Sequence, residues 1–321
     1  MGKKSKKGAG ASNGNVILVT GGSGFVGQKL VKRLAEKGNT VVSMYRHRLP
    51  EPMPNVYPVC SDLESIDLLK APLRGVDAVI YLAWDHNFSS PSSEGSQGIE
   101  ELRTLANTRQ LVNMLRAMEH VGTPKIIFVS ANGASRHSPH RYLREKYAGE
   151  FEVINSSVKQ KIVMRPTILF DQNANRDLFL RSIINIAKLP GVYPVPKIDS
   201  KLSPLHVNDF CRALDKACRV EFDGEIAILD LIGKENYPIE EVFKLVSERY
   251  CRGHKFQIRG RVGNSLVDLL EKTRQAASNR PNIRHFLSVG HGTADSIQQA
   301  NPISQILSHD LTSFRKSISE K

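Results

Sequence analysis

Short apolar runs alternate along the chain with longer segments in which apolar residues recur every three or four positions. Runs that are apolar on both faces and are separated by helices are typical of a parallel sheet buried between two layers of helices. The pattern therefore predicts an α/β fold. Its predicted strands are NVILVT (15–20), TVVSMYR (40–46), VYPV (56–59), DAVIYLA (77–83), KIIFVS (125–130) and KIVMRPTILF (161–170).

The segments between these runs predict amphipathic helices. The apolar stripe between the first two strands starts at Phe25 and stops before Gly38, and glycine often ends a helix. The other predicted helices are about 99–120, the segment RYLREKYAGEFEVIN, and about 207–219. FSSPSSEGSQG (88–98) follows the fourth strand and is too polar to pack, so it predicts a mobile loop near the edge where α/β proteins bind ligands.

A glycine-rich turn, TGGSGFVG, lies between the first strand and the first helix. Gly21, Gly24 and Gly27 let the backbone approach a pyrophosphate without an intervening Cβ. The helix that begins at Phe25 and Val26 offers its N–H groups and positive dipole to the phosphates. Strand, turn and helix together predict a dinucleotide site on a Rossmann-type, doubly wound parallel sheet, and a tight turn without a ligand is the alternative.

The end of the second strand carries Arg46, His47 and Arg48. A site specific for NAD usually has an acidic residue here, roughly twenty residues beyond the glycines, which binds the ribose hydroxyls. Two guanidinium groups suit a 2′-phosphate instead, so Arg46 and Arg48 predict NADP(H) in preference to NAD. A solvated basic turn is the alternative.

Tyr142 and Lys146 lie four residues apart in the predicted helix after the fifth strand. This spacing places a phenol and an ammonium group side by side on one helix face. A free phenol is a poor base at neutral pH, but a neighbouring ammonium group and an oxidised nicotinamide both favour phenolate. Tyr142 is therefore predicted to pass a proton while a hydride moves, and an exposed helix pair is the alternative. A second such spacing, Tyr193 to Lys197, contains two prolines and cannot form a helical pair.

These motifs resemble the short-chain dehydrogenase/reductase superfamily in its extended or atypical branch, the NAD-dependent epimerase/dehydratase type, over about residues 15–235. The patterns RYLREKYAGE and HDLTSFRKSI most resemble the branch that contains the NAD(P)-binding accessory subunit of respiratory complex I. The resemblance implies that Lys146 also anchors the cofactor ribose. It further implies cofactor contacts from Asp62 and Leu63 against the adenine, from Leu82 and Ala83 after the fourth strand, from Asn107 in the next helix, and from Pro166 and Thr167 beside the nicotinamide.

A catalytic serine or threonine follows the fifth strand in this family, and the run here is VSANGA. Ser130 is the natural candidate for orienting the substrate oxygen, but Ala131 or Asn132 takes that position if the strand ends differently. Without the hydroxyl, a carbonyl oxygen loses one hydrogen-bond donor, which costs a large rate factor. Asp171 replaces the usual glycine after the sixth strand.

The chain is predicted to contain two folded parts. From about residue 171 the alternation weakens and prolines interrupt it, which predicts a smaller lobe that caps the pocket. The predicted organisation is a disordered basic tail at 1–14, an NAD(P)-binding domain at 15–170 to which about 205–232 return, and a substrate-binding lobe formed by 171–204 and 233–321.

The formal net charge of the 321 residues is +13, of which four lysines in the first seven residues supply four units. This charge suits a phosphorylated cofactor, and binding of RNA or an anionic surface through the tail is a further hypothesis, although interleaved aromatic residues are lacking. The cysteine and histidine spacings suggest no metal site. Because no apolar run resembles an export signal or a membrane span, we expect a cytoplasmic protein, with the mitochondrial matrix as the alternative.

Two functions are predicted. In the first, an NADP(H)-dependent reductase, dehydrogenase or epimerase uses Tyr142 as general acid/base, Lys146 to tune it and Ser130 to orient the oxygen of a small-molecule substrate. In the second, the chain holds a nucleotide as a structural or assembly subunit of an oligomer or larger complex. Five basic residues flank the predicted pocket in sequence and suit an anionic substrate, and a solvated basic surface is an equal alternative. They are Arg136, His137, His140, Arg141 and Arg176.

Overall fold

The computed structural model describes most of the first 250 residues and a short C-terminal segment. The described residues are 14–85, 96–172, 178–187, 192–195, 201–221, 224–250, 256–258, 263, 265–266 and 310–319. The predicted N-terminal tail, up to residue 13, and most of the predicted loop at 88–98 lie outside them.

Strands and helices alternate through the described residues. The strands are β1 (Val16–Thr20), β2 (Thr40–Tyr45), β3 (Val56–Cys60), β4 (Ala78–Tyr81), β5 (Lys125–Val129), β6 (Gln160–Pro166), β7 (Leu169–Phe170), β8 (Val192–Pro194), β9 (Lys201–Leu202), β10 (Leu205–His206), β11 (Ile226–Leu231), β12 (Tyr237–Pro238) and β13 (Phe256–Ile258). The helices are α1 (Phe25–Glu36), α2 (Ile66–Leu73), α3 (Ser96–Val121), α4 (Arg141–Asn155), α5 (Leu178–Ala187), α6 (Val207–Arg219), α7 (Ile239–Tyr250) and α8 (Phe314–Ser319).

Seven strands form one parallel sheet in the order β11-β6-β5-β4-β1-β2-β3. The chain order reverses between β1 and β4, and ligands of such sheets bind at the carboxyl ends of the strands next to this switch point. Helices α1 and α6 cover one face, and α2, α3 and α4 cover the other. The predicted doubly wound α/β fold is confirmed.

Two lysines inside the sheet fasten it to helix ends. Lys125 Nζ donates to the carbonyls of Cys218 and Val220, at 3.3 and 2.8 Å, where α6 ends. Lys161 Nζ donates to the carbonyl of Ser156 at 2.8 Å, where α4 ends. Cations at the C-termini of helices satisfy carbonyls that have no partner within the helix and favour the negative end of the helix dipole. These contacts fix α4 and α6 on opposite faces of the sheet.

A third hydrophobic cluster, besides the two layers on the sheet, is built from α5, α7, α8 and short strands of the second half of the chain. Phe170, Phe179, Phe243 and Phe314 are buried within it, and Phe314 packs edge-on against Phe170 with ring centroids 4.9 Å apart. The cluster reaches back to Ile168, directly after β6. The domain boundaries predicted from the sequence stay a prediction.

The helices of the described part of the chain include none that is both long and apolar enough to cross a bilayer. The longest, α3, has Arg103, Arg109 and Arg116 along its length.

Candidate functional site

A cavity of about 610 Å³ lies at the carboxyl ends of the sheet strands, beside the switch point. Its wall includes Thr20 at the end of β1, Tyr45 at the end of β2, Val129 at the end of β5 and Pro166 at the end of β6. With the exception of Asn107, every catalytic and cofactor residue predicted from the sequence lines this one cavity. The fold therefore brings together side chains that the sequence holds far apart.

The glycine turn forms one end of the cavity. A Cβ at Gly27 would lie 2.2 Å from the carbonyl oxygen of Gly21, which no side chain tolerates. Gly21 itself has a φ of +66°, in the left-handed region that favours glycine. Helix α1 begins at Phe25 with no side-chain cap and no acidic residue in its first turn. The positive end of this helix thus suits an anion, and the turn fits the pyrophosphate of a dinucleotide.

Thr20 has a structural role that the sequence analysis did not identify. Its hydroxyl oxygen accepts hydrogen bonds from the backbone N–H groups of Leu82 and Ala83, both at 3.0 Å. These bonds hold the segment after β4 against the glycine turn. The threonine at the start of TGGSGFVG was the available signal, but its partners lie about sixty residues away.

The segment predicted to face the adenine is held in an unusual backbone conformation. Leu63 has a φ of +63°, which is costly for a residue with a Cβ. The Asn113 amide on α3 donates to the carbonyls of Leu63 and Glu64, at 3.1 and 3.0 Å, and Asp62 Oδ1 accepts from the N–H of Glu64 at 3.0 Å. Asn113, which the sequence analysis did not single out, therefore stabilises the strained turn through hydrogen bonds from α3.

A carboxylate accompanies the arginines at the end of β2. Arg46 and Arg48 are exposed and line the cavity, but Asp85 also lines it, with Oδ2 3.8 Å from Arg46 Nη2. The sequence analysis found no acidic residue near the predicted 2′-phosphate position because Asp85 comes from the far side of the switch point. Arg46 is thus partly neutralised before any phosphate arrives.

Asn107, predicted beside the cofactor, lies outside the cavity wall. Its side-chain oxygen accepts from the N–H of Asp85 at 2.9 Å, and its amide nitrogen donates to the carbonyl of Asp85 at 3.3 Å. The pair of bonds occupies the carboxamide with the backbone of the β4–α3 segment. Asn107 acts on the cavity through Asp85, and not by direct contact.

Lys146 lines the cavity and is nearly fully buried, with 3% of its surface exposed. Its Nζ donates to the carbonyl of Val129 at 2.8 Å and lies 4.1 Å from the centroid of the Trp84 ring. Burial lowers the pKa of Lys146 to about 7, although the carboxylates of Glu150 and Glu145 partly oppose this. The amine is therefore only partly protonated at neutral pH.

Tyr142 lies beside Lys146, as predicted, in surroundings that oppose its ionisation. The Lys146 Nζ lies 5.8 Å from the centroid of the Tyr142 ring. Burial raises the pKa of Tyr142, and the carboxylate of Glu145 raises it further, so Tyr142 is a neutral phenol at neutral pH. The phenolate expected beside an ammonium group and an oxidised nicotinamide stays a prediction.

Ser130 lines the cavity, but its hydroxyl proton is directed at a carboxylate. Ser130 Oγ donates to Glu150, which is 1% exposed. The same carboxylate accepts both Nε and Nη2 of Arg165, at 2.8 and 2.6 Å, in a two-point ion pair. A hydroxyl has one proton to donate. In this arrangement Ser130 can accept a hydrogen bond from a ligand but does not donate one, in contrast to the predicted role.

The two alternatives for the hydroxyl position are also resolved. Ala131 lines the cavity and has no donor, while Asn132 does not line it. The Asn132 amide donates to Asp230 Oδ1 on β11 at 3.2 Å, and its backbone N–H donates to the carbonyl of Pro166 at 2.9 Å. The segment after β5 is therefore anchored on β6 and β11 and offers the cavity no free amide.

The basic residues predicted to flank the pocket do not line it. Arg136 and His137 are exposed, and Arg141 Nε pairs with Glu145 at 2.7 Å. Burial lowers the pKa of His140, which favours its neutral form. Arg176 lies outside the described residues. The observed positions therefore give no support to an anionic substrate.

Comparisons with known proteins agree with this geometry. A family model described as NAD(P)H-binding matches residues 21–182. Among curated proteins, the Arabidopsis thaliana protein named NADH dehydrogenase (ubiquinone) 1 alpha subcomplex subunit 9, mitochondrial, is 27% identical across 77% of this chain and 60% of its own length. The chain thus spans less than two thirds of that relative.

Two further known proteins match this chain over a larger share of their own length. A ceramide reductase of Caulobacter vibrioides is 22% identical across 71% of this chain and 68% of its own length. Among solved structures, MoeE5 in complex with UDP-glucuronic acid and NAD is 21% identical, with a TM-score of 0.64 over 95% of this chain and 97% of that one. The similarity to MoeE5 shows the shared fold, and the family model confirms the predicted NAD(P)-binding family.

Proposed function

Since the chain belongs to the NAD(P)H-binding family, we propose that it is an NADP(H)-dependent oxidoreductase of the epimerase/dehydratase type whose proton donor is Tyr142. One observation carries this proposal: a single cavity joins the glycine turn to Tyr142 and Lys146. The nicotinamide supplies or takes up a hydride. The chain positions the pyrophosphate at the end of α1 and places a phenol within the same enclosure.

The protonation states favour the reductive direction. A neutral Tyr142 is ready to donate its proton to the oxygen of a carbonyl as the hydride reaches the carbon, which gives an alcohol and the oxidised cofactor. A partly neutral Lys146, bonded to the carbonyl of Val129, then assists return of a proton to the phenolate. Donation by Ser130 is not part of this proposal, because its proton is bonded to Glu150.

The preference for NADP(H) rests on Arg46 and Arg48 at the adenosine end of the cavity. Exposed guanidinium groups bind phosphate through charge-assisted hydrogen bonds. Asp85 moderates this preference, since a carboxylate next to Arg46 repels the 2′-phosphate. We expect NADPH to bind more tightly than NADH, but by a smaller factor than two unopposed arginines give.

The proposal is tested by binding and turnover with the full chain. NADPH and NADH are titrated by fluorescence, and cofactor oxidation is followed at 340 nm over a panel of aldehydes and ketones. Tyr142→Phe removes the phenolic proton. We expect this variant to bind the cofactor as the wild type does, and its rate of cofactor oxidation to fall at least about a hundredfold. Equal turnover by this variant contradicts the assignment of Tyr142.

A second candidate function is a nucleotide-holding subunit of a larger complex. Two observations favour it: the Ser130 hydroxyl is committed to Glu150, and the plant relative is named as a subunit of a mitochondrial dehydrogenase. This candidate predicts tight cofactor retention, no turnover on any carbonyl or nucleotide sugar, and loss of stability when the cofactor is removed. It also implies a location in the mitochondrial matrix, whereas the first candidate implies the cytoplasm.

A further inference from the structure

We propose that the substrate of this cavity is a neutral carbonyl compound with an apolar chain, rather than a nucleotide sugar or another anion. This inference deepens the proposed oxidoreductase function and rests on it. It follows from the side chains that line the cavity directly beyond Thr167, next to the position where the family resemblance places the nicotinamide.

The wall beyond Thr167 is made of three apolar side chains. Ile168 and Phe179 belong to the third hydrophobic cluster, and Leu169 on β7 is partly buried and packs against the cluster that α1 and α6 form on the sheet. We call Ile168, Leu169 and Phe179 the apolar wall. Phe179 is 1% exposed and Ile168 5%, so both are fixed by packing. Since these two side chains expose almost no area, the free energy gained on binding comes from removing the apolar chain of the ligand and the partly buried Leu169 from water.

The charged side chains that line the cavity lie elsewhere. Four of them, Arg46, Arg48, Asp62 and Asp85, belong to the adenosine end, together with His47. Lys146 is the remaining charged residue in the wall among the described residues, and it is bonded to the Val129 carbonyl and buried against Trp84. A diphosphate group at the apolar wall would lose its hydration without gaining a cation from the described residues that line it, which is strongly unfavourable.

The reaction that this inference implies is balanced by the proposed cofactor. A hydride from NADPH adds to the carbonyl carbon, and the C=O π electrons move to the oxygen. That oxygen takes the proton of Tyr142, so the products are a secondary or primary alcohol and NADP⁺. Solvent returns the proton to Tyr142. The apolar wall takes no part in these steps and contributes only affinity for the chain of the substrate.

The first measurement is equilibrium binding to the full chain loaded with NADP⁺, which cannot reduce a ketone. Methyl ketones from four to ten carbons and UDP-glucose are titrated by calorimetry. We expect affinity to rise by up to about fourfold for each methylene that becomes buried, and UDP-glucose to bind at least tenfold more weakly than the longest ketone. Affinity that is independent of chain length, or tighter binding of UDP-glucose, overturns the inference.

Two variants connect the effect to the apolar wall. Leu169→Ser is expected to lower the affinity for the longest ketone about fivefold and leave that for the shortest within twofold. Leu169→Met is expected to retain the wild-type dependence, and Leu68→Ser, at a side chain 75% exposed on α2, is the matched control. A loss for Leu68→Ser as large as that for Leu169→Ser overturns the inference. Thermal melts establish that each variant is folded.

Turnover with NADPH separates this inference from the proposed function. Chain-length-dependent binding without reduction of any ketone supports the inference about the ligand and contradicts the oxidoreductase function. Reduction or epimerisation of a nucleotide sugar in preference to ketones supports an enzyme of this family and overturns the apolar substrate. Reduction whose kcat/KM rises with chain length supports both.

Discussion

The two ends of the cavity differ in which part of the chain lines them, the backbone at one end and side chains at the other. The end proposed to bind the pyrophosphate, which we call the phosphate end, is lined by backbone: a turn in which Gly27 approaches the carbonyl of Gly21, and the first N–H groups of α1. The end proposed for catalysis, which we call the catalytic end, is lined by side chains, and Ser130 there forms one hydrogen-bonded group with the buried Glu150 and the partly exposed Arg165. A backbone site tolerates almost no change in residue size, while a side-chain network depends on every charge being paired.

This difference separates binding from chemistry within one enclosure. Changes at the phosphate end are expected to remove the cofactor and leave the fold in place. Changes in the buried network are expected to alter stability and the geometry of the segment after β5 together, because Glu150 joins α4 to β6 through Arg165. Each prediction below compares one end with the other.

The largest effect is expected from Gly27→Ala. The added methyl group would meet the Gly21 carbonyl at 2.2 Å, so the turn must open and lose its contact with the pyrophosphate. We expect the affinity for NADPH and NADH to fall more than about a hundredfold, with the far-ultraviolet spectrum unchanged. Gly38→Ala is the matched control at the other end of α1: it has a φ of +81° but no atom within 4 Å of the added Cβ. Gly38→Ala is expected to destabilise the fold slightly and to keep the cofactor affinity. An equal loss of cofactor affinity in both variants contradicts a role for the turn.

The next largest effect is expected from Glu150→Ala, at the catalytic end. The variant removes the buried carboxylate that accepts two hydrogen bonds from the partly exposed Arg165, which keeps its interaction with Asp230, and we expect a loss of about 2 kcal/mol in the free energy of unfolding. The lost carboxylate also frees the Ser130 hydroxyl. Chemical denaturation measures the first effect, and Glu152→Ala on the same helix is the control with an expected change below about 0.5 kcal/mol. Similar losses in the two variants would show that the network contributes no special stability.

Glu150→Gln makes a finer distinction at the same place. Oε1 of Glu150 accepts from both Ser130 Oγ and Arg165 Nε, and Oε2 accepts from Arg165 Nη2, so a carboxamide places its NH₂ group against one Arg165 donor in either orientation. With the NH₂ group at the Oε1 position, Ser130 accepts from Gln and is free to donate to the cavity. We expect this variant to be less stable than the wild type, more stable than Glu150→Ala, and more active on carbonyls if donation by Ser130 is what the wild type lacks. Unchanged activity would show that Ser130 does not reach the substrate oxygen.

The same contrast explains what the sequence predicted. The glycine turn, the parallel sheet and α4 over Arg141–Asn155 follow from patterns within about fifteen residues, and they are present where the sequence placed them. The edge strand β11 was not predicted as a separate strand, although its sequence IAILDL is mostly apolar; the sequence analysis only assigned about 205–232 to the part of the chain that returns to the NAD(P)-binding domain.

Side chains whose partners are distant in sequence could not be predicted. Glu150 meets Arg165 on the adjoining strand, Asn113 meets the backbone of Leu63, and Asp85 meets Arg46 across the switch point. Each contact depends on the register of the sheet or the packing of α3, which no local pattern specifies. The pKa directions of Tyr142 and Lys146 could not be predicted for the same reason, because they depend on burial.

A smaller effect is expected at the adenosine end, from the pair formed by Arg46 and Asp85. Arg46→Ala removes a cation that is half exposed, and we expect the affinity for NADPH to fall about tenfold while that for NADH changes less than threefold. Asp85→Asn removes the competing carboxylate and should raise the ratio of NADPH affinity to NADH affinity by about threefold. Fluorescence titrations at low and high salt measure both ratios. A shift of the same sign in both variants would contradict the antagonism of these two side chains.

The last effect is a change in the pH dependence of stability, which is expected from the ionisation of Lys146. Its pKa in the folded protein is about 7, below the value of about 10.4 for an unfolded chain, so between these pH values the unfolded state binds more protons. Stability contributed by this group therefore rises as pH increases from about 7 to about 10.4, because the penalty of burying an ammonium group is relieved. Lys146→Met removes that contribution, and the melting temperature of the variant should increase less with pH across the window than that of the wild type. Lys70→Met on α2 is the matched control, and identical pH slopes in all three proteins would show that the Lys146 ammonium group is not desolvated in the fold.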